Sequence, residues 1–214
     1  MKARILVWLV ALFCCHNVLF AQKEFVNASA RLSGHPRILL QKGEEKALKK
    51  VIMKDAVWKD IHQSLVDEAG EIVKLPLNER IKTGRRLLSV SRENLRRIFI
   101  LSYAYRMTGK NEFLKRAESE MLKAASFSDW NPSHFLDVGE MTMALAIGYD
   151  WLYPQLSVQT KKEIENAIVE KGLKPSFDER YNWFVNAVHN WSQVCHAGVT
   201  YGACLLYTSD AADE

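Results

Sequence analysis

Apolar residues recur every three or four positions along most of the chain after Gly43, and no stretch alternates apolar and polar residues as a half-buried strand would. Clear examples are residues 44–53, 58–72 and 113–124. The pattern predicts an all-α protein of roughly seven helices, each about 10 to 19 residues long, joined by short loops. Short connections favour antiparallel neighbours, so we expect helical hairpins arranged as a barrel or as an open solenoid.

Capping residues and glycines predict where several helices begin and end. Asn78 is expected to cap a helix over residues 79–90, and Ser91 is expected to cap the next one, which should end at Gly109. Ser157 is expected to cap a later helix.

A long apolar helix is predicted over residues 135–153, and polar side chains are concentrated at its start. His134, Asp137 and Glu140 are three residues apart, which places them near one face of the first turns. One interpretation is structural: Ser133 caps the helix, and the two carboxylates complement the positive end of its dipole. The other is functional, with the three side chains forming a polar rim that faces a ligand.

A second polar cluster lies just before and inside the last predicted helix, which begins near Trp191. Buried amides and imidazoles need hydrogen-bond partners, so a helix seldom carries many of them. Aromatic faces beside amide donors are suited to sugar rings and their hydroxyl groups. We therefore interpret this cluster as a candidate carbohydrate site, with a set of satisfied structural residues as the alternative. Its members are Trp183, Asn186, His189, Asn190, Trp191, Gln193 and His196.

Three stretches of the chain resemble the heparinase II/III-like family of polysaccharide lyases. They are HPRILL at 35–40, WNPSHFLDVGEMTMALAIGYDWLY at 130–153 and HNWSQVCHAGVTYGA at 189–203. Their order is the one expected of that family's N-terminal half. The resemblance implies that residues 36–203 form antiparallel helical hairpins of an incomplete (α/α) toroid. In the family, further toroid helices and an antiparallel β-sandwich region follow, and this sequence contains neither.

The resemblance also implies a reaction, β-elimination at a uronic acid of an acidic polysaccharide, of the heparin or heparan type or a related one. The C5 proton beside an ionised carboxylate is barely acidic, so hydrogen-bond donors must neutralise that carboxylate and stabilise an enolate-like intermediate. By position, Asn190 is the expected neutraliser, Gln193 its companion and His189 a weaker catalytic candidate. The expected substrate-binding residues are Trp191, His196, His134, Glu140 and Trp183.

The chain differs from the family in one pair of residues and lacks the family's later catalytic residues. Some members place His and Glu three residues apart where this chain has Asn190 and Gln193. The family's catalytic tyrosine and a later histidine would follow residue 203, and neither Tyr201 nor Tyr207 is expected to replace them. The 214-residue chain is therefore expected to be inactive by itself.

Two other functions fit the residues. A glycoside hydrolase on an (α/α) barrel needs two carboxylates flanking a cleft, and Asp137, Glu140 and Asp150 are the available carboxylates. A non-catalytic, carbohydrate-binding α-solenoid needs no such pair.

The N-terminus predicts export. Residues 1–21 have a basic start, an apolar run too short for a comfortable membrane span, and a small residue before a cleavage point, as signal peptides do. Residues 22–35 are expected to be a lead-in segment. We expect a periplasmic or secreted protein with no stable membrane insertion after cleavage.

Composition and charge further narrow the possible classes of protein and of binding partner. With 48% apolar and 25% charged residues, the chain is typical of a globular domain and not of a disordered one. The formal net charge of +4 is compatible with an acidic polysaccharide partner but does not by itself indicate one, and no nucleic-acid partner is predicted. Outside the signal peptide and the tail only Cys195 remains, so no disulfide framework is expected. No spacing of Cys and His predicts a metal, and no cofactor is expected.

The last eleven residues, CLLYTSDAADE at 204–214, fit nothing before them. Every one of them can be encoded by the transposase end and adapter used in tagmentation sequencing libraries, read in one frame. We therefore expect residues 204–214 to be a translated adapter and not part of the natural protein.

Resequencing the gene from the source genome tests this expectation. We expect the reading frame to continue after Ala203 with codons that encode a different sequence. A genomic frame that does encode CLLYTSDAADE would contradict it.

Overall fold

The computed structural model describes residues 34–207, of which Gly34–Leu206 form one compact unit. This part of the chain contains seven α-helices and no strand, so the prediction of an all-α fold is confirmed. The predicted signal peptide, most of the lead-in segment and residues 208–214 of the tail lie outside the described residues. The helices are α1 (Glu45–Lys54), α2 (Ala56–Lys74), α3 (Leu88–Thr108), α4 (Asn111–Ala125), α5 (Phe135–Leu152), α6 (Val158–Ala167) and α7 (Asn190–Tyr207).

Helix α5 is the core of the fold. All of its residues are buried except Glu140 and Met143, and a helix that is apolar on nearly every side belongs inside a protein. Helices α3, α4 and α6 pack around it, together with a π-helical turn at Ile168–Leu173. Within residues 34–207, none of the helices is both long enough and apolar enough to cross a bilayer.

Two of the expected helix ends are confirmed. Helix α3 ends at Gly109, whose φ of 74° is left-handed and therefore favours glycine. Ser157 caps α6, because its hydroxyl oxygen accepts a hydrogen bond from the backbone N–H of Thr160 at 3.0 Å.

Three other capping predictions are wrong. The segment between α2 and α3 is not helical, and Asn78 donates a side-chain hydrogen bond to Asn94 instead of capping a helix. Ser91 lies inside α3, where its hydroxyl group donates to Glu140 at 2.9 Å. Ser133 belongs to a 3-10 turn before α5 and caps nothing; its hydroxyl group donates to Asn131. Asn78 and Ser91 bond to tertiary partners instead of capping, and Ser133 bonds to the nearby Asn131.

The N-terminal segment of the described chain is fixed to the end of α5 by the Asp150 carboxylate and by the indole N–H of Trp151, which donates to the carbonyl of Ile38. Asp150 is fully buried and accepts hydrogen bonds from the backbone N–H groups of Arg37 and Ile38, the latter at 2.8 Å. It also pairs with the imidazole of His35, whose ring stacks on Tyr153 at 4.1 Å between centroids. The part of the HPRILL stretch that these bonds hold is therefore structural, and a buried carboxylate is tolerated because its oxygens are bonded.

Helices α5 and α7 cross so closely that no side chain fits between their backbones at the crossing point. A Cβ atom at Gly198 would lie 2.1 Å from the carbonyl oxygen of Gly139, and one at Gly139 would lie 3.2 Å from the Cα of Cys195. Two glycines that face each other let the helix backbones touch. This crossing sets the start of α7 against the start of α5.

Replacing Gly198 by alanine should break this crossing, because the added methyl group must push the two helices apart. We expect Gly198→Ala to lower the free energy of unfolding by about 1–3 kcal/mol in denaturant titrations. The matched control is Gly70→Ala in α2, where a Cβ meets nothing within 4 Å. That control should gain about 0.5–1 kcal/mol from helix propensity. Equal stability of the two variants would contradict the close crossing.

Candidate functional site

Aromatic rings gather at the start of α7. Trp191 contacts His134 from the start of α5, with ring centroids 4.9 Å apart, and Trp183 at 5.4 Å. His189 completes the group, about equally distant from the two tryptophans at 6.1 and 6.0 Å. We call these four rings the aromatic cluster. Its outer members, Trp183 and His189, are exposed.

Two amide side chains lie in the same first turn of α7 as Trp191 of the aromatic cluster. Asn190 and Gln193 are both exposed and lie three residues apart in the first turn of α7, so they are neighbours on one face. Within residues 34–207 neither amide makes a side-chain hydrogen bond, so their N–H groups are available to a ligand. His196 lies one turn further on and is oriented differently, with its Nδ1 donating to the carbonyl of Ser192 at 2.7 Å and its ring edge against Phe184.

A cleft of about 330 Å³ separates α3, α5 and the start of α7. Glu140 and Met143, the two residues of α5 that are not buried, both line it, and Gln193 faces them from α7. The remaining lining residues are Leu95, Gly139, Val194 and Ala197. The cleft is therefore mostly apolar, with one carboxyl group and one amide.

The Glu140 carboxyl group is only partly solvated. It accepts hydrogen bonds from Ser91 and from Nε of Arg92, the latter at 3.1 Å. Burial nevertheless raises the pKa of Glu140 above its usual range, because desolvation outweighs these two bonds. Burial likewise raises the pKa of the neighbouring Cys195 thiol to about 12, with Glu140 and Asp137 adding to the effect, so this cysteine is a core residue and not a nucleophile.

His134 and Asp137 form a buried pair beneath the aromatic cluster. The Oδ1 atom of Asp137 accepts from Nδ1 of His134 at 2.8 Å, and its Oδ2 accepts from Asn131 and from the backbone N–H of Leu87, each at 2.7 Å. In a neutral ring this leaves the lone pair on Nε2 of His134, which is buried and has no partner among the described residues. Asp137 therefore fixes the ring and holds the loop before α3.

The structure separates the eight residues proposed from the sequence into three groups. The aromatic cluster brings together Trp183, His189, Trp191 and His134, of which only His134 is fully buried. Gln193 and Glu140 both line the cleft. Asn190 is the first residue of α7. His196 contacts Phe184 and not the cluster.

The sequence reasoning missed Arg92, the partner of Glu140, which no local pattern could have indicated because the pair is 48 residues apart.

The described residues contain no group of three or more His, Cys, Asp or Glu side chains placed to hold a metal ion. No protein-family model and no curated protein matches this chain.

Removing the Asp137 carboxylate should destabilise the fold strongly. Asp137→Ala leaves three buried donors without an acceptor, so we expect the free energy of unfolding to fall by about 3 kcal/mol or more in urea titrations. Asp137→Asn retains one acceptor oxygen and should lose less. The control Asp67→Ala changes an exposed carboxylate of α2 and should shift stability by about 0.5 kcal/mol or less. Similar losses in Asp137→Ala and Asp67→Ala would contradict the central role of Asp137.

Proposed function

We propose that the start of α7 and the half-buried edge of α5 at Glu140 and Met143 form the uronate-binding half of the active site of an exported polysaccharide lyase. The carrying observation is that two exposed amides without a side-chain hydrogen bond, Asn190 and Gln193, lie in the first turn of α7, the turn whose Trp191 joins the exposed rings of Trp183 and His189. Indole faces accommodate the apolar faces of sugars, and amide N–H groups bind hydroxyl and carboxylate oxygens. The resemblance to the heparinase II/III-like family supports the same location.

The reaction is β-elimination. The C5–H bond of the uronate breaks and a base takes the proton, the electron pair forms the C4–C5 double bond, and the C4–O4 bond breaks as the leaving oxygen takes a proton from an acid. Asn190 and Gln193 donate hydrogen bonds to the uronate carboxylate as it gains enolate character. Donors fixed in this way contribute on the order of 3–4 kcal/mol each. His189 supplies a further N–H group in reach of the same sugar.

The base and the acid belong to the part of the family site that follows residue 203. In this proposal residues 36–203 are the first helical hairpins of an incomplete (α/α) toroid, with the β-sandwich region further along. The hairpin-like succession of α2 to α6 and the core position of α5 support this architecture.

The carboxylate geometry favours elimination over glycoside hydrolysis. Asp150 is fully buried, is bonded to two backbone N–H groups, and lies thirteen residues from Asp137 on one helix, a rise of about 20 Å. Paired glycosidase carboxylates are about 5–9.5 Å apart across a cleft. Asp137 is itself buried with both oxygens bonded, so Glu140 has no carboxylate partner facing it among the described residues.

Elimination is tested with the chain joined to its genomic continuation after residue 203, by following the ultraviolet absorbance of the unsaturated uronate on heparin-type and unsulfated uronate polymers. We expect product from the continued chain and none from the 214-residue chain. Asn190→Ala should lower kcat by about 100-fold or more, since a donor to the developing charge is lost. Asn111→Ala, an exposed asparagine at the start of α4, is the control and should stay within about twofold of the unchanged protein.

Two results would contradict the proposal. One is the absence of unsaturated product from every acidic polysaccharide, and binding without product would indicate a carbohydrate-binding protein instead. The other is full activity of the Asn190→Ala variant.

A further inference from the structure

A second cavity, of about 490 Å³, lies beside the start of α3, and its polar lining is basic. The lining residues are Thr83, Arg85, Arg86, Leu88, Ser89 and Arg92, with no carboxylate among them. We call this cavity the arginine pocket. Guanidinium groups stay charged at any physiological pH and match the oxygen pairs of carboxylates and sulfates. The pocket is therefore chemically suited to an oxyanion.

Arg85 and Arg86 differ from the other arginines of residues 34–207. Every other guanidinium in this part of the chain donates to a carboxylate or to a backbone carbonyl. The side chains of Arg85 and Arg86 make no hydrogen bond there and are exposed. Two adjacent unpaired cations repel each other, so an anion placed between them would gain from both.

The turn that carries these two arginines is held rigidly. Thr83 and Arg86 exchange two backbone hydrogen bonds, at 2.9 and 3.2 Å, around Gly84, whose φ of 60° suits glycine. The carbonyl of Arg85 accepts from the side chain of Asn131 at 2.8 Å, and Asn131 in turn donates to Asp137. The backbone of this turn is thus fixed to the same buried carboxylate that orients His134, which reduces the backbone part of the ordering cost of binding.

The arginine pocket lies next to the cleft of the candidate site, although the two share no lining residue. Ser89 and Arg92 line the pocket, and Leu95, one turn further along the same face of α3, lines the cleft. The rise from residue 89 to residue 95 is about 9 Å. Arg92 joins the two directly, because its Nε donates to Glu140 while most of its side chain stays exposed.

We propose that Arg85, Arg86 and Arg92 form a second anionic subsite, which binds a sulfate or carboxylate substituent of the polysaccharide away from the sugar held at Asn190. This inference rests on the proposed function and deepens it, because it requires a substrate that is anionic on more than one sugar residue. Sulfate and carboxylate share the oxygen geometry that guanidinium recognises.

Calorimetric titration of the 214-residue chain tests the subsite. The ligands are a heparin oligosaccharide, an unsulfated oligouronate and a neutral oligosaccharide of equal length. The variant is Arg85→Ala with Arg86→Ala, and the control, Lys49→Ala with Lys50→Ala, removes two exposed positive charges from α1. We expect the arginine variant to bind anionic ligand about tenfold or more weakly and the lysine control to stay within about twofold.

Comparing the two anionic ligands identifies the chemical group that the subsite recognises. A loss confined to the heparin oligosaccharide indicates sulfate, and a loss with both anionic ligands indicates carboxylate. Unchanged binding by the arginine variant, equal losses in both variants, or no binding of either anionic ligand by the unchanged chain would each overturn the subsite.

Failure of the subsite and failure of the proposed reaction are distinguishable. Elimination by the continued chain together with unchanged binding by the arginine variant overturns the subsite alone. Binding that depends on Arg85 and Arg86, without unsaturated product, overturns the reaction alone.

Discussion

The backbone contact between Gly139 and Gly198 is the constraint on which the candidate site depends. A side chain at Gly198 would meet the carbonyl oxygen of Gly139 at 2.1 Å, so only glycine lets α5 and α7 cross here. The crossing lies four residues from the start of α5 and eight residues from the start of α7. It therefore places Trp191 on His134 and Gln193 opposite Glu140, although these pairs are more than fifty positions apart in the sequence.

Two buried carboxylates then attach distant parts of the chain to α5. Asp137 near its start holds Leu87 and Asn131, and through Asn131 the turn that carries Arg85. Asp150 near its end holds the backbone of the N-terminal segment. A buried carboxylate is costly unless its oxygens are bonded, and backbone N–H groups of loops supply those bonds. The buried carboxylates of this apolar helix thus position loops, while its two half-buried residues, Glu140 and Met143, line the cleft.

The sequence was sufficient for features that local chemistry determines. Helical periodicity predicted the all-α fold, Gly109 and Ser157 marked true helix ends, and the density of amides and rings after Trp183 identified the cluster that the structure gathers. The capping predictions for Asn78 and Ser91 were wrong because each residue has a tertiary partner that capping rules cannot anticipate. The features that single-sequence reasoning could not supply are those joined across the core.

The arginine pocket is one of the features that join distant parts of the chain, which the sequence alone does not indicate. The sequence pattern predicted a helix over residues 79–90, and only the fold shows that Arg85, Arg86 and Arg92 line one cavity beside Glu140. The pocket and the cleft adjoin through Arg92, which lines the pocket and donates to Glu140 of the cleft.

The most direct test of the central claim is an NMR titration of the 214-residue chain with an unsulfated oligouronate, following side-chain amide and indole signals. We expect the signals of Asn190, Gln193, Trp183 and Trp191 to shift together. Trp58, which is comparably exposed to Trp183 but lies on α2, should not move. Unshifted amide signals at 190 and 193, or an equal shift of Trp58, would contradict a uronate site at the start of α7.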